Sequence, residues 1–219
     1  MIDLPLIVQS LPALWRGTLV TLQIAGLSGL IGMLLGTVLG IAHTSQFKPL
    51  RWLITAYVTI IRGTPMLIQI TIAFYVLPQL GLGLPAFWAA VCAIGLNSAA
   101  YVSQIIKAGI LSINKGQVEA AYTLGLSRMQ TLQYIVLPQA FKVVTPALGN
   151  EFITLVKDSS LASVIGVVEL TREGSLIRSR TFDYFTLYAA IALIYLIITT
   201  TLSILVSIVE QRMNQHAKN

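Results

Sequence analysis

Three ionisable side chains, Glu151, Lys157 and Asp158, stand within an apolar run from Val143 to Val168. At mid-bilayer each would cost several kcal/mol if left unpaired, so they must face protein or water. On a helix Glu151, Thr154 and Asp158 share one face, and Asn150, Thr154 and Lys157 share the adjoining one. Lys157 and Asp158 point about 100° apart and need not neutralise each other. Carboxylates and an ammonium so arranged can hold a zwitterionic solute; equally, they can meet a dimer mate or form an internal ion-pair network that fixes a helix bundle. A second polar set, Asn97, Tyr101 and Gln104, recurs at i, i+4 and i+7 in another apolar segment. It calls for partners on a neighbouring helix or along a wet pathway.

The chemistry in view is non-covalent. No Ser-His-Asp set, G-x-S-x-G elbow or G-x-x-x-x-G-K-[ST] phosphate loop occurs. His43 and His216 lack metal-ligand spacing, and Cys92, the one cysteine, sits alone in an apolar run. Neither a catalytic residue nor a metal site is expected, and an energy source would have to come from another chain.

The surroundings of these residues are those of a membrane protein. Of 219 residues, 56% are hydrophobic and only 10% charged, and the mean hydropathy is +0.81, against about a quarter charged in soluble chains. Fourteen basic and eight acidic residues leave a net charge of +6, but the basic residues are scattered between apolar runs, with no aromatic-interleaved stripe for nucleic acid. They suit the cytoplasmic ends of membrane spans. Met1 to Ser10 lack the basic start and short apolar core of a cleavable signal, so the first span is expected to stay in the protein.

Apolar windows and breaks predict an all-α, single-domain bundle over 1–219. Its five spans fall at about 19–42, 65–77, 86–110, 143–166 and 185–208. In the first, Gly32, Gly36 and Gly40 recur every four residues and should pack closely on a neighbouring helix, dimerisation being their other possible use. Pro65 biases Thr64 toward extended backbone and should start the second span there. Arg62 is then either an interfacial anchor or part of a moving element. The charged stretch Val167 to Tyr184 is expected to form an external loop with a surface helix, either plainly solvated or docking a soluble partner.

The polar interval at about 112–133 is expected to be two short helices. Asn114 with Gln117, and Ser127 with Gln130, are spaced for capping boxes, and Gly125 falls where a left-handed residue would end the first helix.

Glu119-Ala120-Ala121-Tyr122-Thr123-Leu124-Gly125, closed by Leu137-Pro138, resembles the cytoplasmic docking loop of ABC importer permeases. Arg62-Gly63-Thr64-Pro65, Asn97-Ser98-Ala99-Ala100-Tyr101 and Gly149-Asn150-Glu151-Phe152-Ile153 resemble the subfamily that imports polar amino acids. Gln104 and Lys107 depart from that subfamily, where an acidic residue and an arginine are usual. The resemblance implies a type I importer permease fold in the cell (inner) membrane. It also implies an ABC ATPase partner holding ATP and magnesium, with no cofactor in this chain. A second, identical or homologous permease and an extracytoplasmic solute-binding protein would complete the assembly. Glu119, Ala120, Ala121 and Gly125 would dock the ATPase; Asn97, Tyr101, Gln104, Glu151, Thr154, Lys157 and Asp158 would line the path of a polar amino acid.

Lys48, Arg51, Lys107, Lys115, Arg128, Arg212 and Lys218 all fall on the docking-loop side, so the N-terminus is expected outside and the C-terminus inside. The rival from another class is an ion-coupled carrier or channel using Glu151, Lys157 and Asp158, although no inverted repeat is evident. A membrane scaffold without transport would leave the intramembrane charges without a purpose.

Overall fold

Small residues at a spacing of four decide how the first helix meets the rest of the chain. The computed structural model describes residues 2–215, with side chains to 213; His216 and Lys218 lie outside the described residues. Helix α1 (Leu4–His43) packs along α4 (Ala86–Leu111). Gly32, Gly36 and Gly40 lie against Ser98, Val102 and Ile106, which also recur every four residues. A Cβ at Gly36 would stand 2.5 Å from Val102 Cβ and 2.9 Å from the Ala99 carbonyl oxygen. Neither neighbour can step aside, since one is β-branched and the other is backbone. Gly36→Val is therefore expected to cost about 1–3 kcal/mol or more through overpacking. Gly26→Ala on the same helix meets nothing within 4 Å and should gain about 1 kcal/mol in helix propensity. Thermal unfolding in detergent compares the two.

Helix α1 starts earlier than the apolar window at about 19–42 suggests. Asp3 accepts from the Leu6 amide at 3.0 Å, and Pro5 occupies the first turn, so the helix is nucleated near the chain start. The run is 40 residues, and exposed Arg16 marks its more polar end.

Helix α2 (Lys48–Gly63) is amphipathic and lays Ile54 and Val58 against Ala100 of α4. It breaks where the Thr64–Pro65 pair requires: Thr64 is extended at φ −115° and ψ 143°. The chain then bends by 101° into α3 (Met66–Thr71), which continues through a π-helical turn, Ile72–Val76, and a 3-10 turn, Leu77–Leu80.

After α4 come two short helices, α5 (Lys115–Thr123) and α6 (Arg128–Gln130), then a π turn, Thr131–Val136, leading into α7 (Leu137–Asp158). A 3-10 segment, Ser159–Ile165, connects α7 to α8 (Leu170–Thr181), and α9 (Tyr184–Gln215) closes the chain. Among the described residues α1, α4 and α9 are long and apolar enough to cross a membrane, and the bent pair from Lys48 to Leu80 would make a fourth. The charges of α7 keep it out of that group, yet its Leu155 and Val156 share a core with Ile24 of α1, Ile70 of α3 and Ile94 of α4. The interior of the bundle is thus built from α1, α3, α4 and α7.

The stretch expected as a charged external loop holds one surprise. Glu169 is fully buried. Its carboxylate accepts from the amides of Thr171 at 2.9 Å and Arg172 at 2.7 Å and from the Tyr195 hydroxyl at 3.2 Å. It caps α8, where the positive end of the helix favours an anion, while α8 packs on α1 and α9.

Candidate functional site

The break between α2 and α3 leaves the last carbonyls of α2 without helical partners. Gln69, one turn into α3, supplies one: its Nε2 donates to the Ile61 carbonyl at 2.7 Å and to Thr64 Oγ1 at 2.8 Å. Its Oε1 accepts from Asn97 Nδ2 at 2.9 Å, which ties the break to α4. The amide thus holds three elements around one opening. Gln69→Leu removes both ends of that link and is expected to lower stability by about 1–3 kcal/mol. Gln69→Glu keeps the acceptor toward Asn97 but sets a carboxylate oxygen against the Ile61 carbonyl, so it should lose at least as much; thermal unfolding of both variants tests this.

The opening is a cavity of about 510 Å³, within the range of small-molecule sites, about 300–1,000 Å³. Three elements bring polar groups to it: Arg62 from the end of α2, Tyr101 beside it on α4, and Glu151, Thr154 and Asp158 from α7. The Arg62 guanidinium lies 4.8 Å over the Tyr101 ring, a cation–π contact that fixes its direction. Glu151 accepts from the buried Ser98 hydroxyl at 2.9 Å. Two carboxylates and one guanidinium thus face a common space. Such a set can hold a free ammonium and a free carboxylate together without covalent chemistry.

Of the seven pathway residues expected from sequence, Asn97, Tyr101, Glu151, Thr154 and Asp158 come together here. Gln104 and Lys157 do not. Gln104 shares the face of Asn97 but stands seven residues on, about 10 Å along the axis. Its Nε2 lies 3.4 Å from His43 Nδ1 instead. Lys157, a third of a turn from Asp158, is exposed and does not line the cavity. Arg62 and Thr64 also line the cavity, although the sequence reads the Arg62 to Pro65 stretch as a helix break, an anchor or moving element and part of a subfamily resemblance, and gives Gln69 no role. Polar groups on both sides of a break were the signal available.

At one end of the bundle α5 and α6 form a separate, exposed unit. The Ser127–Gln130 capping box is complete, with Gln130 N donating to Ser127 Oγ at 3.3 Å and Ser127 N to Gln130 Oε1 at 2.9 Å. The Asn114–Gln117 box does not form: Asn114 accepts from the Gly116 amide at 2.8 Å, and Gln117 instead accepts from Gln139 Nε2 of α7. Gly125 has φ +83°, and the amides of Gly125 and Leu126 donate to Tyr122 and Ala121 at 2.9 and 3.1 Å. That is a Schellman end, which favours glycine at this position. Glu119, Ala120 and Gly125 are exposed, but Ala121 is 3% exposed and packs inward, so it supports the helix and is not a contact surface of this fold. Leu124 and Met129, 82% and 69% exposed, add apolar area that the sequence motif did not single out. Arg128 Nη1 donates to Gln46 Oε1 at 2.7 Å, joining this unit to the α1–α2 connection.

Residues 30–215 match the family described as binding-protein-dependent transport system inner membrane component. The chain is 44% identical over 206 residues to the L-cystine transport system permease protein TcyB of Bacillus subtilis, covering 94% of this chain and 88% of that one. It is 39% identical over 216 residues to the arginine transport system permease protein ArtQ of the same organism, covering 98% and 99%. Similarity to the glutamine transport system permease protein GlnP of Escherichia coli is 39% over 208 residues, covering 93% and 94%. Among solved structures, a chain of an amino acid ABC transporter crystallised with histidines superposes with a TM-score of 0.92 at 41% identity, covering 97% of this chain and 99% of that one.

Proposed function

The chain belongs to the family of binding-protein-dependent transport system inner membrane components, and we propose that it is the membrane-spanning permease subunit of an ATP-driven importer of polar amino acids. Its place is the cell (inner) membrane, as the family description says. The observation that carries the proposal is the convergence of Arg62, Glu151 and Asp158 on one cavity. That charge pattern complements the ammonium and carboxylate common to all amino acids. Relatives named for cystine, arginine and glutamine share this chain's full length nearly throughout. A site reading only the shared zwitterion would serve each of them.

The finer arrangement is part of the same proposal. Five spans, with the N-terminus outside and the C-terminus in the cytoplasm, put Lys48, Arg51, Lys107, Lys115, Arg128 and Arg212 on the cytoplasmic side. An ATPase carrying ATP and magnesium docks on Glu119, Ala120 and Gly125, with Leu124 and Met129 as apolar contacts. A second permease chain, identical or homologous, completes the pathway, and a solute-binding protein delivers the amino acid from outside. Motion of the ATPase reaches the bundle as rigid-body displacement, because α5 holds α7 through Gln117 and Gln139 while α6 holds the α1–α2 connection through Arg128 and Gln46. Helix α7 carries Glu151 and Asp158, so docking and binding sites move on one element.

The test is uptake by the reconstituted transporter, with its binding protein, of cystine, arginine and glutamine in turn. ATP-dependent accumulation of at least one supports the proposal. Accumulation driven by an ion gradient without ATP would instead establish an ion-coupled carrier.

A further inference from the structure

A second polar cleft lies toward the docking end of the bundle, apart from the cavity of Glu151. It encloses about 360 Å³ between the end of α1, the first turns of α2 and the end of α4, and is lined by His43, Thr44, Arg51, Thr55, Lys107 and Leu111. Arginine, lysine and histidine converge there, and among the described residues no carboxylate lines it. We propose that this cleft binds the phosphate of an anionic phospholipid in the leaflet on the docking side; its placement in that leaflet rests on the orientation proposed above.

Among the described residues the Arg51 guanidinium has no hydrogen-bond partner within the chain, and the Lys107 ammonium has one contact, to His43. The buried His43 ring has Nε2 3.1 Å from Thr55 Oγ1 and 3.2 Å from Lys107 Nζ. The Thr55 hydroxyl already donates to the Arg51 carbonyl at 2.8 Å, so it offers His43 a lone pair, and Nε2–H donates to it. Gln104 Nε2, 3.4 Å from Nδ1, agrees with that tautomer. The Lys107 ammonium carries three N–H groups, of which the His43 ring nitrogen 3.2 Å away takes at most one, so at least two are left for a ligand. Thr44 likewise donates to the Ile41 carbonyl at 2.7 Å. What the cleft presents is therefore an Arg fork and an ammonium, donors suited to phosphate oxygens. The rim indicates the source of that phosphate. Leu111 in its lining is 66% exposed, and Trp52, next to Arg51 on α2, is 71% exposed; an amphipathic helix with an exposed tryptophan is suited to the headgroup level of a bilayer. Basic pockets between spanning helices on the cytoplasmic side take anionic headgroups on these terms.

The test titrates the full chain, purified with the subunits that accompany it in mild detergent and then delipidated, with phosphatidylglycerol and with phosphatidylcholine, and counts bound lipid by native mass spectrometry. Arg51→Gln combined with Lys107→Gln is expected to weaken phosphatidylglycerol binding about thirtyfold, while Arg180→Gln at the opposite end leaves it unchanged. Exposed Arg51→Gln alone, which disturbs no buried group, should weaken it about fivefold even if the double variant is poorly folded. Equal binding by wild type and Arg51→Gln would overturn the site. Displacement of the lipid by an equal concentration of inorganic phosphate would overturn the lipid as its occupant.

Discussion

Glu151→Gln is expected to lower ATP-driven amino-acid uptake by about 10- to 100-fold, the loss of one hydrogen bond to a charged group, while leaving the amount of folded protein unchanged. The substitution separates binding from folding because of what the carboxylate touches. Its partner in the fold is the Ser98 hydroxyl, which can still donate to a glutamine Oε1, though to a neutral acceptor more weakly. The charge itself is spent on the cavity, where Asp158 is its companion and Arg62 the opposite pole. Asp158→Asn should act in the same direction. Arg62→Gln should weaken the same solutes by removing the partner of their carboxylate, and it also frees the Tyr101 ring. Uptake measured against protein quantified in the membrane checks all three. A parallel fall in uptake and in folded protein would mean that Glu151 holds the bundle together and does not hold solute.

Gly125→Asp should leave the chain in the membrane but separate ATP hydrolysis from uptake. The residue sits at φ +83°, and a Cβ there meets nothing within 4 Å. Aspartate therefore fits without a clash inside this chain; its backbone strain is about 1–2 kcal/mol. What it changes is the surface, adding a charged side chain beside Glu119 and exposed Leu124 where a partner is to seat. Gly125→Asn separates the two effects. Asparagine tolerates the left-handed conformation while projecting a group of the same size, so a docking role predicts uncoupling by both residues. Normal coupled uptake in the asparagine variant would reduce Gly125 to a helix terminator.

The residues legible before folding were those whose meaning is local. Thr64 before Pro65 had to be extended, Gly125 had to end a helix left-handed, and Ser127 with Gln130 had to cap one. The Gly32 stripe read correctly as a close-packing face, because a four-residue spacing belongs to one helix and needs no knowledge of its neighbour. The site was half legible for the same reason. Glu151, Thr154 and Asp158 share a face of α7 by arithmetic alone, but which face of which helix meets them is a matter of packing. Hence Gln104, on the right face yet too far along the axis, was grouped with residues it does not join. Arg62 joins them from the end of α2, where the chain bends by 101°, a contact that no spacing along the sequence shows. Glu169 shows the opposite failure. Surrounded by Arg172 and Glu173 in sequence, it reads as one more solvated charge, and only the docking of α8 on α1 and α9 removes it from water.

The claim that this chain moves amino acids by coupling to a separate motor is tested most directly by purifying it from its native membrane in mild detergent and identifying by mass every chain that remains bound. An ABC ATPase should copurify with the wild type and be lost, or bound without coupled uptake, in Gly125→Asp; a second permease, identical or different, would be counted in the same sample. A lone chain that still moves solute in vesicles without ATP would contradict the importer and leave the charges of α7 to an ion-coupled carrier.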